Sequence, residues 1–202
     1  MGRRTALERP TKALGSACTA GSNSAHVNMA TDENYEGKSR PSVRRIALDI
    51  RPRSFGFVVL EDAMVLDSGV RTCDQEQSDD CLVQRFRRIV ARYDPAAVIT
   101  LRRRLSDADR AYLLSKSLTR IVEEVGAELL YTSPPRIHRY FHRHGAITKH
   151  DIALVIAKLL PELAWQIPAK RKPWESEPYW ASVFDAAASV VPHIFPIVCD
   201  RP

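Results

Sequence analysis

The chain has 202 residues, enough for one domain of ordinary size, and 45% of them are hydrophobic, as in a typical globular core. Its formal net charge of +6 favours a polyanionic partner over a partner rich in acidic residues. The sequence lacks an apolar run of membrane-spanning length and lacks a secretory signal, so we expect a cytoplasmic protein with no membrane contact. Its four cysteines form no C-x-x-C pair and are expected to be reduced thiols.

The N-terminal part of the chain differs in composition from the rest. Residues 1–42 are rich in small, polar and charged residues and have no apolar periodicity, so they are predicted to form a disordered tail, within which Met29 is an alternative start. The folded domain is predicted to span residues 43–202.

Apolar patterning predicts the elements of this domain in chain order. Three strands joined by short polar links come first, at about 43–51, 54–61 and 63–71. Helices and strands then alternate: a helix at about 82–93, a strand at 96–101, a helix from Ser106, a strand at 128–132, a helix from Thr148 and a last helix at about 178–191. A meander that feeds alternating helices and strands predicts an α/β fold, with a mixed five-stranded sheet flanked by helices.

Cap and breaker residues predict where several elements begin and end. Thr148 and Asp151 have the spacing of a capping box at the start of a helix. Gly126 fits the end of the helix before the fifth strand. Pro134 follows that strand and is predicted to end it, and Pro192 is predicted to bound the last helix.

Three motifs of the predicted domain, taken in order and spacing, resemble one protein family. They are Ile46-Ala47-Leu48-Asp49 leading into Gly56-Phe57-Val58-Val59-Leu60, His144-Gly145-Ala146-Ile147-Thr148-Lys149 before a helix, and Phe184-Asp185-Ala186-Ala187-Ala188 with His193. Over residues 43 to about 193 the chain resembles the RuvC-type Holliday junction resolvases, as a divergent member. This resemblance implies a ribonuclease H-like fold.

The resemblance also implies a chemistry. In the family, four carboxylates hold two divalent ions, Mg²⁺ or Mn²⁺, which activate water for attack on a phosphate. Asp49 and Asp185 match two of these positions, so the resemblance gives both a catalytic and metal-binding role. The other two positions are assigned to Thr100 and Ser182, which are neutral.

The sequence leaves open whether other carboxylates join the site and whether Asp49 and Asp185 are purely structural. Glu175 and Glu177 precede the last helix and are available as substitute ligands. A lone Asp at a strand end is otherwise solvated or hydrogen-bonded for structural reasons alone. The same holds for Asp185 as a polar residue on a helix.

Basic residues cluster in three segments: after the fourth strand, around an aromatic stretch at 136–145, and before the last helix. We expect them to contact phosphates, with aromatic neighbours stacking on bases, although solvated charge runs are the simpler alternative. The residues predicted to bind nucleic acid are Arg102, Arg103, Arg139, Arg143, Lys149, Lys170, Arg171 and Lys172. His138 and His142 have helical spacing that a metal can use, but no further ligand pattern follows.

Two functions are consistent with these features, and a purely structural domain is a third, weaker interpretation. One is a divalent-metal-dependent endonuclease acting on branched or structured DNA in recombination or repair. The alternative is a catalytically degenerate RuvC-like domain that binds nucleic acid or a protein partner without cleavage. The resemblance further implies a homodimer.

Overall fold

The computed structural model describes residues 42–73, 80–102, 109–170, 172 and 174–196, all within the compact unit Arg40–Pro202. The predicted tail therefore lies almost entirely outside the described residues. No helix in the described ranges is long and apolar enough to cross a membrane.

Five strands form one mixed sheet. They are β1 (Arg44–Arg51), β2 (Ser54–Glu61), β3 (Met64–Thr72), β4 (Ala97–Leu101) and β5 (Glu128–Thr132). The strand order is β3-β2-β1-β4-β5, with β1 antiparallel to β2 and parallel to β4. The pairs β2–β3 and β4–β5 are antiparallel and parallel, respectively. The sequence prediction of a mixed five-stranded sheet is thus confirmed.

The helices cover both faces of this sheet. They are α1 (Asp80–Tyr93), α2 (Arg110–Glu124), α3 (Pro134–Arg143), α4 (Lys149–Leu159) and α5 (Ala181–Ile194), with a 3-10 helix at Pro161–Gln166. Helices α1 and α2 pack on one face, over a core that includes Ile46, Leu48 and Phe57. On the other face α5 packs against β1 and β2, and the core there includes Ala47 and Val58.

The strands are apolar on both faces because helices cover both, and side-chain alternation assigns each residue to one face. Ala47 belongs to the α5 face, so Asp49 and Arg51, two and four residues further along β1, point the same way. Alternation along this strand therefore brings a carboxylate and a guanidinium to the α5 face.

Sequence reasoning missed one helix and ended the last helix too early. Pro134 does end β5 but also begins α3, since proline fits the first helical turn, where its missing N–H is not needed. Ser106, the predicted start of the second helix, lies outside the described residues, and α2 begins at Arg110 after an N-cap Asp109 whose side chain accepts a hydrogen bond from the Ala111 N–H. Helix α5 continues through Pro192 to Ile194. The capping box of Thr148 and Asp151 and a positive φ at Gly126 are as expected.

Candidate acidic site and nucleic-acid interface

Asp49 lies near the carboxyl end of β1 and is almost fully buried, with 1% of its surface exposed. Its cross-strand neighbour in β2 is Gly56, which points to the same face. A Cβ at Gly56 would lie 2.4 Å from the backbone carbonyl of Ser182. The bare glycine therefore allows α5 to approach the sheet directly beside Asp49.

Arg51 holds three carboxylates together at this point. Its Nε donates to Asp49 Oδ2 at 2.7 Å, and its Nη2 donates to Asp185 Oδ2 at 2.9 Å. Its Nη1 donates to Glu177 Oε2 at 2.6 Å. Asp49 and Asp185, 136 positions apart in the sequence, therefore meet at two nitrogens of one guanidinium.

Lys149 adds a second cation from the first residue of α4. Its Nζ lies 2.7 Å from Glu177 Oε1 and 3.1 Å from Asp185 Oδ2. The capping box of Thr148 fixes where α4 begins and so where Lys149 stands. We call these five residues, Asp49, Arg51, Lys149, Glu177 and Asp185, the acidic cluster. With three carboxylates and two cations, it has a net charge of only −1.

Mutual attraction shifts the pKa values in this cluster. Burial lowers the pKa of Arg51, but the hydrogen bond to Asp49 and the charges of all three carboxylates outweigh it, so the pKa of Arg51 is raised. Burial likewise lowers the pKa of Lys149, and its bonds to Glu177 and Asp185 raise it overall. Burial raises the pKa of Glu177, but Lys149 and Arg51 lower it overall. Each of these three shifts favours the charged form of its residue, in line with the ion pairs that the distances show.

The structure directs Thr100, the residue assigned to the second family acid, away from Asp49. Thr100 pairs with Leu48 and belongs to the opposite face, and its Oγ1 donates to the Leu48 carbonyl at 3.2 Å. The last β4 residue on the α5 face is Leu101, which pairs with Thr132 of β5 beneath α5. A neutral side chain therefore lies at this end of β4 on the face of Asp49, and Thr100 is directed to the other face.

These residues do not fit a pair of divalent ions. Leu101 supplies no oxygen, and Ser182 is buried, with its Oγ directed to the Tyr179 carbonyl at 3.5 Å. The three carboxylates that do meet are bonded to Arg51, which stands where a cation would have to bind. Within the described ranges, no group of three or more His, Cys, Asp or Glu has the geometry to hold a metal ion. His138 and His142 stack their rings, 6.0 Å between centroids, along α3.

The predicted nucleic-acid-binding residues fall at several places around this edge of the sheet. Arg102 directly follows β4 and stacks over Tyr131, 5.9 Å from the ring centroid. Arg139 and Arg143 lie on α3, where they line a shallow concavity with Arg136. The strands β1, β4 and β5 are parallel, so their carboxyl ends lie along the same edge of the sheet. Arg102 and the start of α3 therefore lie at the same edge as Asp49.

The remaining basic residues precede α5. A cavity of about 400 Å³ is lined by both Lys149 and Lys170, together with Glu177 and Asp185, so Lys170 lies beside the acidic cluster. Lys172 approaches the ring of Trp174, 5.7 Å from its centroid. Arg103 and Arg171 lie outside the described residues. Lys149 bonds to carboxylates in this structure, so its contact with a nucleic-acid backbone stays a prediction.

Sequence reasoning did not single out Arg51, the residue that organises the cluster. The available signal was its position two residues after Asp49 in a strand, which puts both side chains on one face. Glu177 was considered as a substitute ligand, and it does join Asp185, through Lys149 and Arg51. Glu175 instead accepts a hydrogen bond from the Lys172 N–H.

A mixed sheet in this strand order, with a buried Asp of β1 facing a final helix, defines the ribonuclease H-like fold. Solved structures share it. The chain is similar to Thermus thermophilus RuvC in complex with a Holliday junction substrate, with 17% identity over 76% of this chain and 93% of that chain and a TM-score of 0.60. A second Thermus thermophilus RuvC structure gives 17% identity over 75% and 93% and a TM-score of 0.55.

The yeast mitochondrial Holliday junction resolvase is also similar, with 12% identity over 76% of this chain and 78% of that chain and a TM-score of 0.57. No family model matches the sequence. No curated protein matches it either. At these identities the likeness shows that the chain has the RuvC-type fold.

Proposed function

We propose that this chain is a RuvC-fold nucleic-acid-binding protein in which Arg51 and Lys149 take the place of divalent cations, so that it binds DNA without metal-dependent cleavage. The observation that carries the proposal is the guanidinium of Arg51, bonded to Asp49, Glu177 and Asp185 at 2.6–2.9 Å. A cleaving site of this kind needs those oxygens free to bind metal.

The energetics favour the ion-paired cluster over a metal site. A divalent ion would have to displace Arg51 from a carboxylate that is 1% exposed, and breaking a buried ion pair is costly. The free energy gained by binding the ion would be small, because Leu101 and Ser182 supply no carboxylate to complete its coordination. Magnesium also keeps several waters and is reluctant to shed them.

Nucleic-acid binding is supported by the charges around the same sheet edge. Arg139 and Arg143 on α3, with Arg102 after β4, present guanidinium groups suited to phosphate oxygens. The cluster itself, at a net charge of −1, repels a polyanion much less than three free carboxylates would. The structural neighbour from Thermus thermophilus is described in complex with a Holliday junction, which makes a four-way junction the first ligand to test.

One observation favours metal-dependent cleavage as a second candidate. Asp49, Glu177 and Asp185 do converge, so three carboxylates would become available if Arg51 and Lys149 moved onto DNA phosphates. In that case Asp49 and Asp185 would bind Mg²⁺ or Mn²⁺. A homodimer, implied by the family resemblance, also stays a prediction.

The test combines binding and cleavage on one substrate. An end-labelled four-way DNA junction is titrated with protein at several salt concentrations, with EDTA, Mg²⁺ or Mn²⁺ present, and the products are separated on denaturing gels. We expect salt-sensitive binding, with the junction intact under all three conditions. Cleavage in Mg²⁺ or Mn²⁺ that Asp49→Asn abolishes would establish the second candidate instead.

A matched pair of double variants locates the binding surface. Arg139→Gln with Arg143→Gln removes two charges from α3, and we expect weaker junction binding. Arg87→Gln with Arg120→Gln removes two charges that pair with Glu124 between α1 and α2, and should bind like the wild type. Equal losses in both variants would show only a net-charge effect, and absence of wild-type binding at low salt would refute the proposal.

A further inference from the structure

Four arginines converge on the side of the molecule away from the acidic cluster. A concavity of about 440 Å³ between β3 and α1 is lined by Asp67, Arg71, Arg85, Arg88, Ile89, Arg92 and Tyr93. We call this the arginine groove. None of its residues belongs to the acidic cluster or to the basic segments predicted from the sequence.

Strand and helix periodicity explain why these side chains face one another. In the β2–β3 pair, Asp67 lies opposite Val59 and Arg71 lies opposite Phe55. Val59 and Phe55 belong to the core beneath α1, so the side chains of Asp67 and Arg71 also point to the α1 face. On α1, Arg85, Arg88 and Arg92 recur at i, i+3 and i+7 and share one helical face. Because β3 is an edge strand, only α1 flanks it there, and a groove is left open to solvent.

The contacts in the groove orient the arginines without neutralising them. Arg71 lies over the Phe57 ring, 4.8 Å from its centroid, and Arg92 over the Tyr93 ring at 5.2 Å. Arg85 Nη1 donates to the Thr72 carbonyl at 2.6 Å. Each of these partners is uncharged.

Among the residues that the structure describes, carboxylates do little to balance this charge. The groove's own carboxylate, Asp67, accepts a hydrogen bond from Tyr93 Oη at 2.9 Å. Across the described parts of the chain, no carboxylate makes an ion pair with any of the four arginines, whereas Arg87 on the neighbouring face of α1 pairs with Glu124. Converging like charges repel, and an anion between them relieves that repulsion.

We propose that the arginine groove binds adjacent backbone phosphates of a nucleic-acid strand, giving this chain a second nucleic-acid contact on the opposite face of the sheet. This inference rests on the proposed function. Guanidinium groups match phosphate oxygens in geometry and stay charged at any physiological pH. The row from Arg85 to Arg92 extends about 10 Å along α1, which suits successive phosphates better than one isolated anion.

The polar side chains of the groove are four arginines, Asp67 and Tyr93, and the last two are bonded to each other, so the proposed contacts to phosphate come from the arginines. Contacts to phosphate position a protein on nucleic acid without specifying sequence. Binding in the groove is therefore expected to be independent of sequence and strongly dependent on salt.

The test uses the full chain and compares two double variants of equal charge. Arg88→Gln with Arg92→Gln changes exposed residues whose side chains make no hydrogen bond to the backbone of the described residues, so we expect the fold to be preserved. The control is Arg87→Gln with Arg120→Gln. Binding to a fluorescent DNA duplex of random sequence is measured by anisotropy over a range of NaCl, after urea unfolding has confirmed that both variants are folded.

We expect the groove variant to bind DNA roughly tenfold more weakly at low salt. The slope of log K against log salt should also decrease in magnitude by about 2, since each lost phosphate contact removes about 0.9 from that slope. The control should keep the wild-type slope. A groove variant that matches the control while the wild type binds DNA would overturn the inference and leave the proposed function standing. Absence of wild-type binding would instead refute the proposed function.

A competition experiment distinguishes nucleic acid from other phosphate sources and from acidic proteins. Tripolyphosphate is added to the wild-type complex and, separately, to protein alone. We expect it to displace DNA only at concentrations that act as bulk salt. Tight tripolyphosphate binding that Arg88→Gln abolishes, with DNA affinity unchanged, would assign the groove to a free polyphosphate. Tight binding of poly-glutamate that Arg88→Gln abolishes, with DNA affinity unchanged, would assign the groove to an acidic protein. Either result would contradict the inference.

Discussion

Arg51 Nε donates a hydrogen bond to Asp49 Oδ2 at 2.7 Å, so the buried acid of β1 is paired with a cation from its own strand. The two residues are separated by one position and share the α5 face of the sheet. The same guanidinium reaches Asp185 and Glu177, which come from α5 and the segment before it. One arginine therefore ties the strand, the helix and the preceding segment together at the place where related folds are expected to bind metal.

The first prediction concerns the stability of this pair. Arg51→Gln should lower the free energy of unfolding by about 3 kcal/mol, because it leaves the carboxylate of Asp49 buried without its guanidinium. Asp49→Asn combined with Arg51→Gln should cost less than the sum of the single changes, since no buried charge then remains. Urea unfolding followed by circular dichroism gives all three values. Simple additivity would show that the pair is not coupled.

Lys149 provides a contrast to Arg51. Its side chain is 70% exposed, although it contacts Glu177 and Asp185. Exposed ion pairs contribute little to stability, so Lys149→Gln should lower the free energy of unfolding by less than about 1 kcal/mol. The same urea experiment measures it. A loss as large as that of Arg51→Gln would mean that Lys149 helps to hold the buried part of the cluster.

The approach of α5 to the sheet gives a third prediction. Gly56→Ala places a Cβ 2.4 Å from Ser182 backbone atoms, so α5 must move, at a cost of about 1–3 kcal/mol. Gly69→Ala is the matched control, because its Cβ would meet side chains and no backbone: the Arg71 guanidinium at 3.1 Å and the Phe57 ring at 3.3 Å. Thermal and urea unfolding compare them. Equal destabilisation would contradict the claim that the helix contact is what requires Gly56.

The fourth prediction is a pH dependence set by His193. Its Nε2 lies 2.8 Å from Thr132 Oγ1, and that hydroxyl donates to the Ser189 carbonyl, so Nε2 carries a proton in the neutral ring. Burial lowers the pKa of His193, and the charges of Arg136 and Arg45 lower it further. The unfolded state then binds the extra proton more readily than the folded state.

Stability from His193 is therefore complete above about pH 6.5, the ordinary histidine pKa, and is lost as the pH falls toward the lowered folded-state pKa. His193→Gln keeps an N–H donor but removes the titration, so its stability should vary less with pH over this window. Urea unfolding at a series of pH values tests it. Parallel curves for the variant and the wild type would assign the pH dependence to other groups.

Much of the fold followed from the sequence because its elements are locally specified. Short apolar runs bounded by polar or turn residues marked all five strands, and the capping box of Thr148 and Asp151 placed the start of α4. Helix α3 was missed because a proline such as Pro134 can either end a strand or occupy the first turn of a helix. A helical signal was present, because Ile137, Tyr140 and Phe141 recur at i, i+3 and i+4 and pack on the core, but the segment was interpreted only as a basic and aromatic nucleic-acid contact.

The site was only partly predictable for a related reason. The resemblance assigned Asp49 on the first strand and Asp185 on the last helix to one site, and the structure brings both carboxylates to the guanidinium of Arg51. Their catalytic and metal-binding roles stay a prediction. That Arg51 fills the space between the two carboxylates depends on how three separate segments pack, and no local pattern encodes that. Thr100, the residue assigned to the second family acid, is directed to the opposite face of the sheet from Asp49, because side chains alternate along a strand.

Titration with Mn²⁺ shows directly whether Arg51 and Lys149 take the place of divalent cations in the acidic cluster. Wild-type protein is titrated with Mn²⁺ in a calorimeter at neutral pH, with Asp49→Asn as the reference. We expect the two titrations to be the same, with no saturable binding at millimolar Mn²⁺. Saturable binding by the wild type that Asp49→Asn abolishes would contradict the account and show that the acidic cluster is a metal site.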